Sequence, residues 1–318
     1  MYILGSYVQN IVKKNKIVLF IIVISSVAII EICLRTIGLG SPPVVNLHPK
    51  IEYYLKPNGE YSRFGNQISI NRYGMRSDDY DLNNPRYDSI FIFGDSVVYG
   101  NHFLDQTETI AFQLQKRINM PNFKVSAVAA SSWGPGNIKS FISEFGPFRG
   151  VSAIIVQSSH DRRDIPFSST DIIPYRVQES RSAIDDVFQI IIERTKRKFR
   201  NQARNLTSEQ AELRSDKSLR EIILSAKNNF DQVILVHHVT KNELIKGNSQ
   251  SLIYYQQLAN ELEINFCSTM TMYAKYSSPL LLYQDSIHLS KLGSEYFAQI
   301  IYKRLQLGES LRSNWLTP

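Results

Sequence analysis

Two short segments, one in the first third of the chain and one near its carboxyl end, carry residues that could do nucleophilic chemistry. The first, IFIFGDSVVYG at 90–100, ends a hydrophobic run with a glycine, an acid and Ser96. The second, YQDSIHLSKLG at 283–293, places Asp285 and His288 three residues apart. A serine hydroxyl attacks a carbonyl when an imidazole takes its proton and a carboxylate orients that imidazole. Each segment alone also fits a plain turn, but the pair indicates a serine-dependent active site.

The chain between these segments alternates between predicted strands and predicted helices. Strands are predicted at 89–93, 123–128, 153–156 and 233–236, and helices at 107–118, 137–145, 216–229, 250–262 and 290–305. Strands that alternate with helices of this length form a parallel sheet covered on both faces. Open sheets of this kind hold their active sites at the carboxyl ends of the strands, which is where Ser96 is expected.

The two motifs carry a family resemblance over roughly residues 88–305. GDSVVYG and DSIHLSKLG resemble the first and last signature blocks of the SGNH, or GDSL-like, hydrolases and acyltransferases. The resemblance implies a three-layer α/β/α, flavodoxin-like domain. It also implies that Ser96 is the nucleophile, His288 the general base and Asp285 its orienting carboxylate. No metal and no organic cofactor is implied.

The middle blocks depart from the family. Members form the oxyanion hole from the serine's own N–H, a glycine N–H after the second strand and an asparagine side chain after the third. Here Ser132, in AVAASSWGPGN, stands for the glycine, and His160, in IIVQSSHDRRD, stands for the asparagine. The resemblance therefore predicts an oxyanion hole of Ser96, Ser132 and His160, with Asp95 and Asp161 in support. A neutral histidine can donate one hydrogen bond, but His160 could equally be a structural loop residue.

The amino-terminal region carries an apolar run that could span a membrane. Three lysines at 13, 14 and 16 precede an uncharged run from Ile17 to Ile30, and extension to Leu34 gives about 18 residues. The lysines predict a single-pass anchor at 17–34 with residues 1–16 in the cytoplasm and the rest outside. A cleaved signal peptide and a buried core helix are the alternatives.

Residues 35–85 are predicted to be a linker that becomes an ordered lead-in, followed by a catalytic domain at 86–310. EICLRTIGLGSPP and YYLKPNGEYSRFGNQISINRYGMRS are similar to membrane-anchored SGNH proteins of bacterial envelope and exopolysaccharide systems. This second resemblance implies an inner-membrane protein with a periplasmic catalytic domain.

An insertion at 165–215 interrupts the strand–helix rhythm, since it is too long for an ordinary connection. It carries apolar residues at Ile184, Val187 and Ile191, followed by a basic run of Arg194, Lys196, Arg197, Lys198, Arg200 and Arg204. One interpretation is a solvated amphipathic helix. The other is contact with anionic headgroups or an anionic glycan, which the net charge of +7 favours. Nucleic acid is not an expected partner outside the membrane.

Length and cysteine content add little to the functional prediction. A chain of 318 residues can bury a full core. Cys33 lies within the apolar run, so a disulfide with Cys267 is not expected.

These features predict a serine esterase that acts on O-acyl groups, expected to be O-acetyl, of an envelope or extracellular glycan. One alternative is a glycan O-acetyltransferase that uses the same triad with an acyl-donor protein in the membrane. The other is a catalytically weakened glycan-binding or assembly protein, suggested by the altered oxyanion blocks.

Overall fold

The computed structural model describes residues 2–164, 166, 176–202 and 207–305. Part of the predicted insertion and residues 306–310 of the predicted domain lie outside these ranges. So do the side chains of four members of the basic run, Arg197, Lys198, Arg200 and Arg204. The domain boundaries given above remain predictions.

The chain begins with a single long helix, α1 (Tyr2–Thr36). Its stretch Asn15–Thr36 is long and apolar enough to cross a membrane, and the side chains from 15 to 30 are exposed. The predicted span at 17–34 lies within this stretch.

Two antiparallel hairpins follow in the region predicted as a lead-in. Strand β1 (Val45–His48) pairs with β2 (Glu52–Leu55), and β3 (Gly59–Arg63) pairs with β4 (Asn66–Ile70). Ile51, Ile68 and Met75 are fully buried. The hairpins therefore pack into the body of the protein, a closer association than the composition of this region suggests.

The centre of the protein is a five-stranded parallel sheet. It contains β5 (Asp88–Gly94), β6 (Phe123–Ala129), β7 (Gly150–Gln157), β8 (Phe230–His237) and β9 (Asn265–Ser268), in the spatial order β6-β5-β7-β8-β9. This is the 2-1-3-4-5 order of flavodoxin-like sheets. The predicted fold class is confirmed.

The remaining helices flank this sheet. They are α2 (Ser96–Tyr99), α3 (Ile110–Ile118), α4 (Pro135–Phe145), α5 (Ala183–Gln202), α6 (Ser208–Asn229), α7 (Lys241–Lys246), α8 (Gln250–Glu261), α9 (Met270–Ala274) and α10 (Lys291–Arg304). Helix α3 packs against α10, and α4 packs against α6. Six successive residues of β5 are buried, which requires cover on both faces of the sheet.

Several elements differ from the sequence prediction, among them β9, α6 and the short helices α2, α7 and α9. Strand β9 was not predicted, because Asn265–Ser268 lacks β-branched residues and is a strand by pairing with β8. Helix α7 was also missed. Helix α6 begins at Ser208, well before the predicted start, because Thr207 and Gln210 form a capping box there.

Candidate active site

Ser96 lies just beyond the carboxyl end of strand β5, as the first residue of α2. The Asp95 side chain caps this short helix by accepting a hydrogen bond from the Val97 N–H at 2.8 Å. The turn needs a glycine before it, since a Cβ on Gly94 would lie 2.4 Å from a methyl of Val98. Ser96 is 7% exposed. The GDS sequence thus builds a tight turn that presents one hydroxyl at the edge of the sheet.

The turn before α10 brings His288 to this hydroxyl. His288 Nε2 lies 2.8 Å from Ser96 Oγ, and His288 Nδ1 lies 2.7 Å from Asp285 Oδ2. The other oxygen of Asp285 accepts the N–H groups of Ile287 and His288 at 2.9 and 2.8 Å. Burial raises the pKa of Asp285, but the hydrogen bonds from His288 and the backbone outweigh it and lower the pKa. The carboxylate is thus set to hold the Nδ1 proton and leave Nε2 facing Ser96.

A second histidine, His238, holds this turn in position. The Nε2–H of His238, at the end of β8, donates to the carbonyl of Ile287 at 2.8 Å. Its side chain is fully buried, and burial lowers its pKa to about 4. His238 is therefore neutral at pH 7 and serves as a fixed donor that positions the Asp285–His288 turn.

The loop after β6 holds Ser132 in the left-handed region, with φ of +58°. A glycine adopts this conformation without strain, whereas a serine pays a small steric cost. Ser132 and Ser96 line the same cavity. Ser132 thus has the glycine-like backbone that it would need in order to replace the glycine of the resembled family.

His160 lies between two acids, Asp95 and Asp161. Its Nε2 is 3.0 Å from Asp95 Oδ2 and 3.1 Å from Asp161 Oδ1, while its Nδ1 is 2.9 Å from Ser158 Oγ. Asp95 Oδ2 also lies 3.3 Å from Ser96 Oγ. Both ring nitrogens of His160 are thus engaged within the protein, and one of the partners touches the candidate nucleophile.

The charges of this cluster follow from its burial. Burial lowers the pKa of His160, but the carboxylates of Asp161 and Asp95 outweigh it and raise the pKa to about 10. Burial raises the pKa of Asp95, and the hydrogen bond and charge of His160 outweigh it and lower the pKa. Burial raises the pKa of Asp161 to about 8, against the opposing charge of His160. At neutral pH the cluster is therefore a His160 imidazolium that neutralises the Asp95 carboxylate.

Asp95, His160 and Asp161 also form a group whose ligand atoms all lie within 4.8 Å of one another. A metal would need a nitrogen lone pair on His160. Ser158 Oγ donates to Asp161 and so accepts from His160 Nδ1, and Asp95 Oδ2 accepts from His160 Nε2, so both ring nitrogens carry a hydrogen in these contacts. The contacts of the cluster fit an ion pair better than a metal site.

Asn101 is a site residue that the sequence analysis missed. Its Nδ2 lies 3.2 Å from His288 Nε2, and its Oδ1 accepts a hydrogen bond from the Ser131 hydroxyl. Its φ of +46° follows the +76° of Gly100, so two left-handed residues turn the chain back toward the catalytic histidine. The only sequence signal was a glycine followed by an asparagine, which reads as an ordinary turn.

A cavity of about 580 Å³ opens over these groups. Ser96 and His288 lie in it, the lead-in contributes Tyr53 and Phe64, and α5 contributes Ile190 and Glu193. Two elements outside the sheet therefore form its walls.

One wall of the cavity is a row of side-chain rings, Phe64, His102 and Phe103, that ends at His288. The ring centroids of Phe64 and His102 are 5.2 Å apart, those of His102 and Phe103 4.5 Å, and those of Phe103 and His288 5.1 Å. The row presents flat apolar surface beside the position where an ester would be cleaved.

A buried cluster of ion pairs joins the two parts of the cavity wall that the lead-in and α5 contribute. Arg176 Nη1 lies 2.7 Å from Asp186 Oδ1, and Arg176 Nε lies 3.0 Å from Glu193 Oε1. Arg63, at the end of β3, pairs with the other oxygen of Asp186. The cluster thus fixes α5 to the lead-in hairpin across the cavity.

Comparisons with known proteins found similarity among solved structures. No protein-family model matches the sequence, and no curated protein matches it. Among solved structures, the lipase/acylhydrolase from Enterococcus faecalis is 14% identical with a TM-score of 0.44, covering 68% of this chain and 94% of that one. The acetylxylan esterase Axe2 from Geobacillus stearothermophilus is 15% identical with a TM-score of 0.41, covering 68% and 93%.

A member of the lipolytic protein G-D-S-L family from Veillonella parvula is 14% identical with a TM-score of 0.40, covering 68% and 99%. The strand order by itself establishes the flavodoxin-like sheet on which the candidate site is built.

Proposed function

We propose that this protein is a serine esterase that removes O-acyl groups, chiefly O-acetyl, from a glycan of the bacterial envelope or its surroundings. One observation carries the proposal. Ser96 Oγ, His288 and Asp285 form a continuous hydrogen-bonded line, with distances of 2.8 and 2.7 Å, at the floor of an open cavity. This is the geometry by which a neutral imidazole takes a serine proton while a carboxylate stabilises the imidazolium that forms.

In the proposed reaction Ser96 attacks the ester carbonyl as His288 Nε2 removes its proton. The tetrahedral intermediate then collapses, the sugar oxygen leaves with the proton from Nε2, and the acyl group stays on Ser96. Water deprotonated by the same Nε2 releases it. The amide of Asn101, 3.2 Å from Nε2, lies where the leaving oxygen and the entering water must meet this nitrogen. It is suited to orient both.

The negative charge of the tetrahedral intermediate must be stabilised by hydrogen-bond donors. The N–H groups of Ser96 and Ser132 are the proposed pair, and the left-handed backbone of Ser132 supports its role. The Asp95 carboxylate beside Ser96 would oppose such a charge. The imidazolium of His160 offsets it, and a hydrogen bond from His160 to the oxyanion remains the prediction of the sequence resemblance.

The cavity supports a substrate larger than a simple acetyl ester. Its volume of about 580 Å³ falls within the usual range for bound small molecules. The rings of Phe64 and Phe103 offer flat apolar faces of the kind on which a sugar ring can rest. The anchor helix would hold this cavity beside an exported polymer.

A glycan O-acetyltransferase is the second candidate, and the same cavity favours it. An acceptor sugar can enter where the leaving sugar departs, since the volume exceeds what an acyl group and one water fill. The sugar hydroxyl would then give its proton to His288 Nε2 in place of water. This alternative requires an acyl-donor protein in the membrane as partner.

The first test compares the full chain with Ser96→Ala on a chromogenic acetyl ester, with and without an oligosaccharide acceptor. Ser96→Ala should lose about 10⁴-fold or more in turnover, because only binding and the oxyanion hole remain. Ser225→Ala, at an exposed position on α6, is the matched control and should retain full activity.

The products separate the three functions. Free acetate in the presence of acceptor supports the esterase, and acetylated sugar supports the transferase. Turnover by Ser96→Ala above about a tenth of wild type would refute the triad. A wild-type chain that binds glycan without turning over either substrate is the weakened binding protein.

A further inference from the structure

Helix α5 buries a carboxylate on its inward face and exposes apolar side chains on its outward face. Asp186 is fully buried and points toward the protein. Phe188, Ile191 and Ile192 are 62%, 57% and 46% exposed, and their spacing of three and four places them on one outward face. A helix on the surface of a water-soluble domain normally buries the apolar face. Contiguous apolar exposure of this kind marks an interaction surface.

The start of α5 is attached to the end of the candidate membrane span. The N–H groups of Ala183 and Ile184 donate to the Glu31 carboxylate at 2.9 and 3.1 Å. Glu31 directly follows the last residue of the uncharged run Ile17–Ile30. In addition, the Gly40 N–H donates to Asp186 Oδ2 at 2.8 Å. Helix α5 therefore begins beside the last two turns of α1, at the carboxyl end of the candidate span Asn15–Thr36.

Polar groups near the apolar face are arranged for a lipid interface. The hydroxyl of Thr195, on the same face, is bonded to the Ile191 carbonyl at 3.0 Å and so needs no water. Lys196 is exposed and lies about a quarter turn to one side of the face; Arg194, also exposed, lies on the other side, toward the cavity that it helps to line. Long basic side chains in such positions reach back to anionic headgroups while their stems cover apolar surface.

We propose that α5 lies in the headgroup–acyl boundary of the bilayer that α1 spans, with Phe188, Ile191 and Ile192 among the lipid chains. The partner is the surface of an anionic lipid bilayer. Amphipathic helices with a basic border bind such surfaces in this orientation. This inference goes beyond the proposed esterase activity and does not depend on it.

The proposal has a consequence for access to the site. The opposite face of α5 contributes Ile190 and Glu193 to the cavity that contains Ser96. Pro42, six residues after the end of α1, also lines this cavity. A chain of six residues spans at most about 20 Å. The cavity therefore opens close to the membrane, and substrate reaches Ser96 along the bilayer surface.

The test measures the depth of α5 directly, using the full chain in nanodiscs of phosphatidylethanolamine and phosphatidylglycerol. In a Cys33→Ser background, Ile191→Cys is labelled with an environment-sensitive fluorophore; Cys267 is buried and escapes labelling. Quenching is compared between spin-labelled lipids and aqueous iodide. The matched control is Ile253→Cys on α8, 59% exposed in the native chain.

The label at 191 should be quenched several-fold more by spin-labelled lipid than the label at 253, and iodide should show the reverse order. Phe188→Cys, labelled in the same way, should agree with position 191. Quenching of both α5 positions by iodide without quenching by lipid would overturn the proposal. Protection of both from lipid and iodide would also overturn it, since a second protein copy would then cover the face.

Discussion

A single buried carboxylate, Asp95, sets the electrostatics of the candidate nucleophile. It caps the helix that carries Ser96, lies 3.3 Å from its hydroxyl and pairs with His160. A carboxylate next to a developing oxyanion disfavours the transition state unless its charge is neutralised. We propose that His160 supplies that neutralisation, at a position where the SGNH resemblance predicts an asparagine.

The role of His160 can be tested by two different rescues. His160→Ala should lower kcat by about 10²-fold with little change in KM, because either role acts on charge that develops in the transition state. If His160 acts by neutralising Asp95, adding Asp95→Asn to His160→Ala should restore most of the loss. The asparagine keeps an oxygen to cap α2 but carries no charge.

If His160 instead donates a hydrogen bond to the oxyanion, the variants should behave differently. His160→Asn alone would then retain activity, and the double variant would stay as slow as His160→Ala. We expect the charge rescue, since both carboxylates lie within 3.1 Å of Nε2. A well-folded His160→Ala enzyme with normal kcat would remove His160 from the mechanism altogether.

At the scale of elements, the lead-in hairpins hold the loops of the active site. Arg76 is fully buried, and its guanidinium donates to the carbonyls of Tyr99, Asn101 and Leu104 at 3.0, 2.6 and 2.7 Å. It thus fixes the loop that carries the Asn101 amide. The indole of Trp133 donates to the Tyr53 carbonyl at 3.1 Å, which ties the Ser132 loop to β2. The lead-in therefore acts as part of the site.

The turn between β9 and α10 depends on a histidine that must stay neutral. The pKa of His238 is about 4 in the folded protein, below the usual 6.5. Between these values the unfolded chain binds more protons, so stability is full above about pH 6.5 and is lost as pH falls toward 4. The thermal midpoint of wild type should therefore drop between pH 7 and pH 4.5.

His238→Gln should reduce this drop, because glutamine keeps a donor for the Ile287 carbonyl and does not titrate. His237, whose pKa burial also lowers to about 4, is present in both proteins, so its contribution cancels in the comparison. Thermal unfolding followed across this pH range provides the measurement. Parallel pH dependences in the two proteins would show that His238 is not the titrating group.

At the scale of the whole molecule, the candidate membrane helix is joined to the domain without a free linker. A Cβ on Gly38, which has φ of +79°, would lie 2.3 Å from the backbone nitrogen of Phe64. Leu39 is buried, and Gly40 is bonded to Asp186. These contacts hold the exit of α1 against the β3–β4 turn and α5.

The predicted topology gives a further test. The lysines before Ile17 predict that the amino terminus is cytoplasmic and the domain is outside. Protease added to bacterial spheroplasts should therefore digest the chain after Ser41, and the mature protein should keep its first residues. A control protease digestion after detergent lysis shows that the domain is cleavable when exposed.

Protection of the domain in intact spheroplasts would place it in the cytoplasm and reverse the orientation. A mature terminus near Gly40 would identify α1 as a cleaved signal sequence. Either result would leave the site geometry unchanged. Cleavage of α1 would remove the bilayer contact inferred for α5, whereas a reversed orientation would move that contact to the cytoplasmic leaflet.

The sequence by itself predicted the sheet, most of its helices and the three residues Ser96, His288 and Asp285. These features depend on local patterns, since hydrophobic runs, caps and turns are written in neighbouring residues. Asp285 and His288 are only three apart, so one turn brings them together. The predicted contact of Ser96 with His288 rests on the rule that catalytic groups gather at the carboxyl edge of such a sheet.

Only the tertiary structure decided the surroundings of these residues. His160 meets Asp95 across 65 positions, and Asn101 meets His288 across 187. The charge of His160 depends on burial and on both carboxylates together, which no single segment specifies. The outward apolar face of α5 likewise appears only once Asp186 is paired with Arg176 and Arg63 inside the protein. Such contacts come from the packing of distant elements. Sequence periodicity does not show which face of a helix is turned toward the protein.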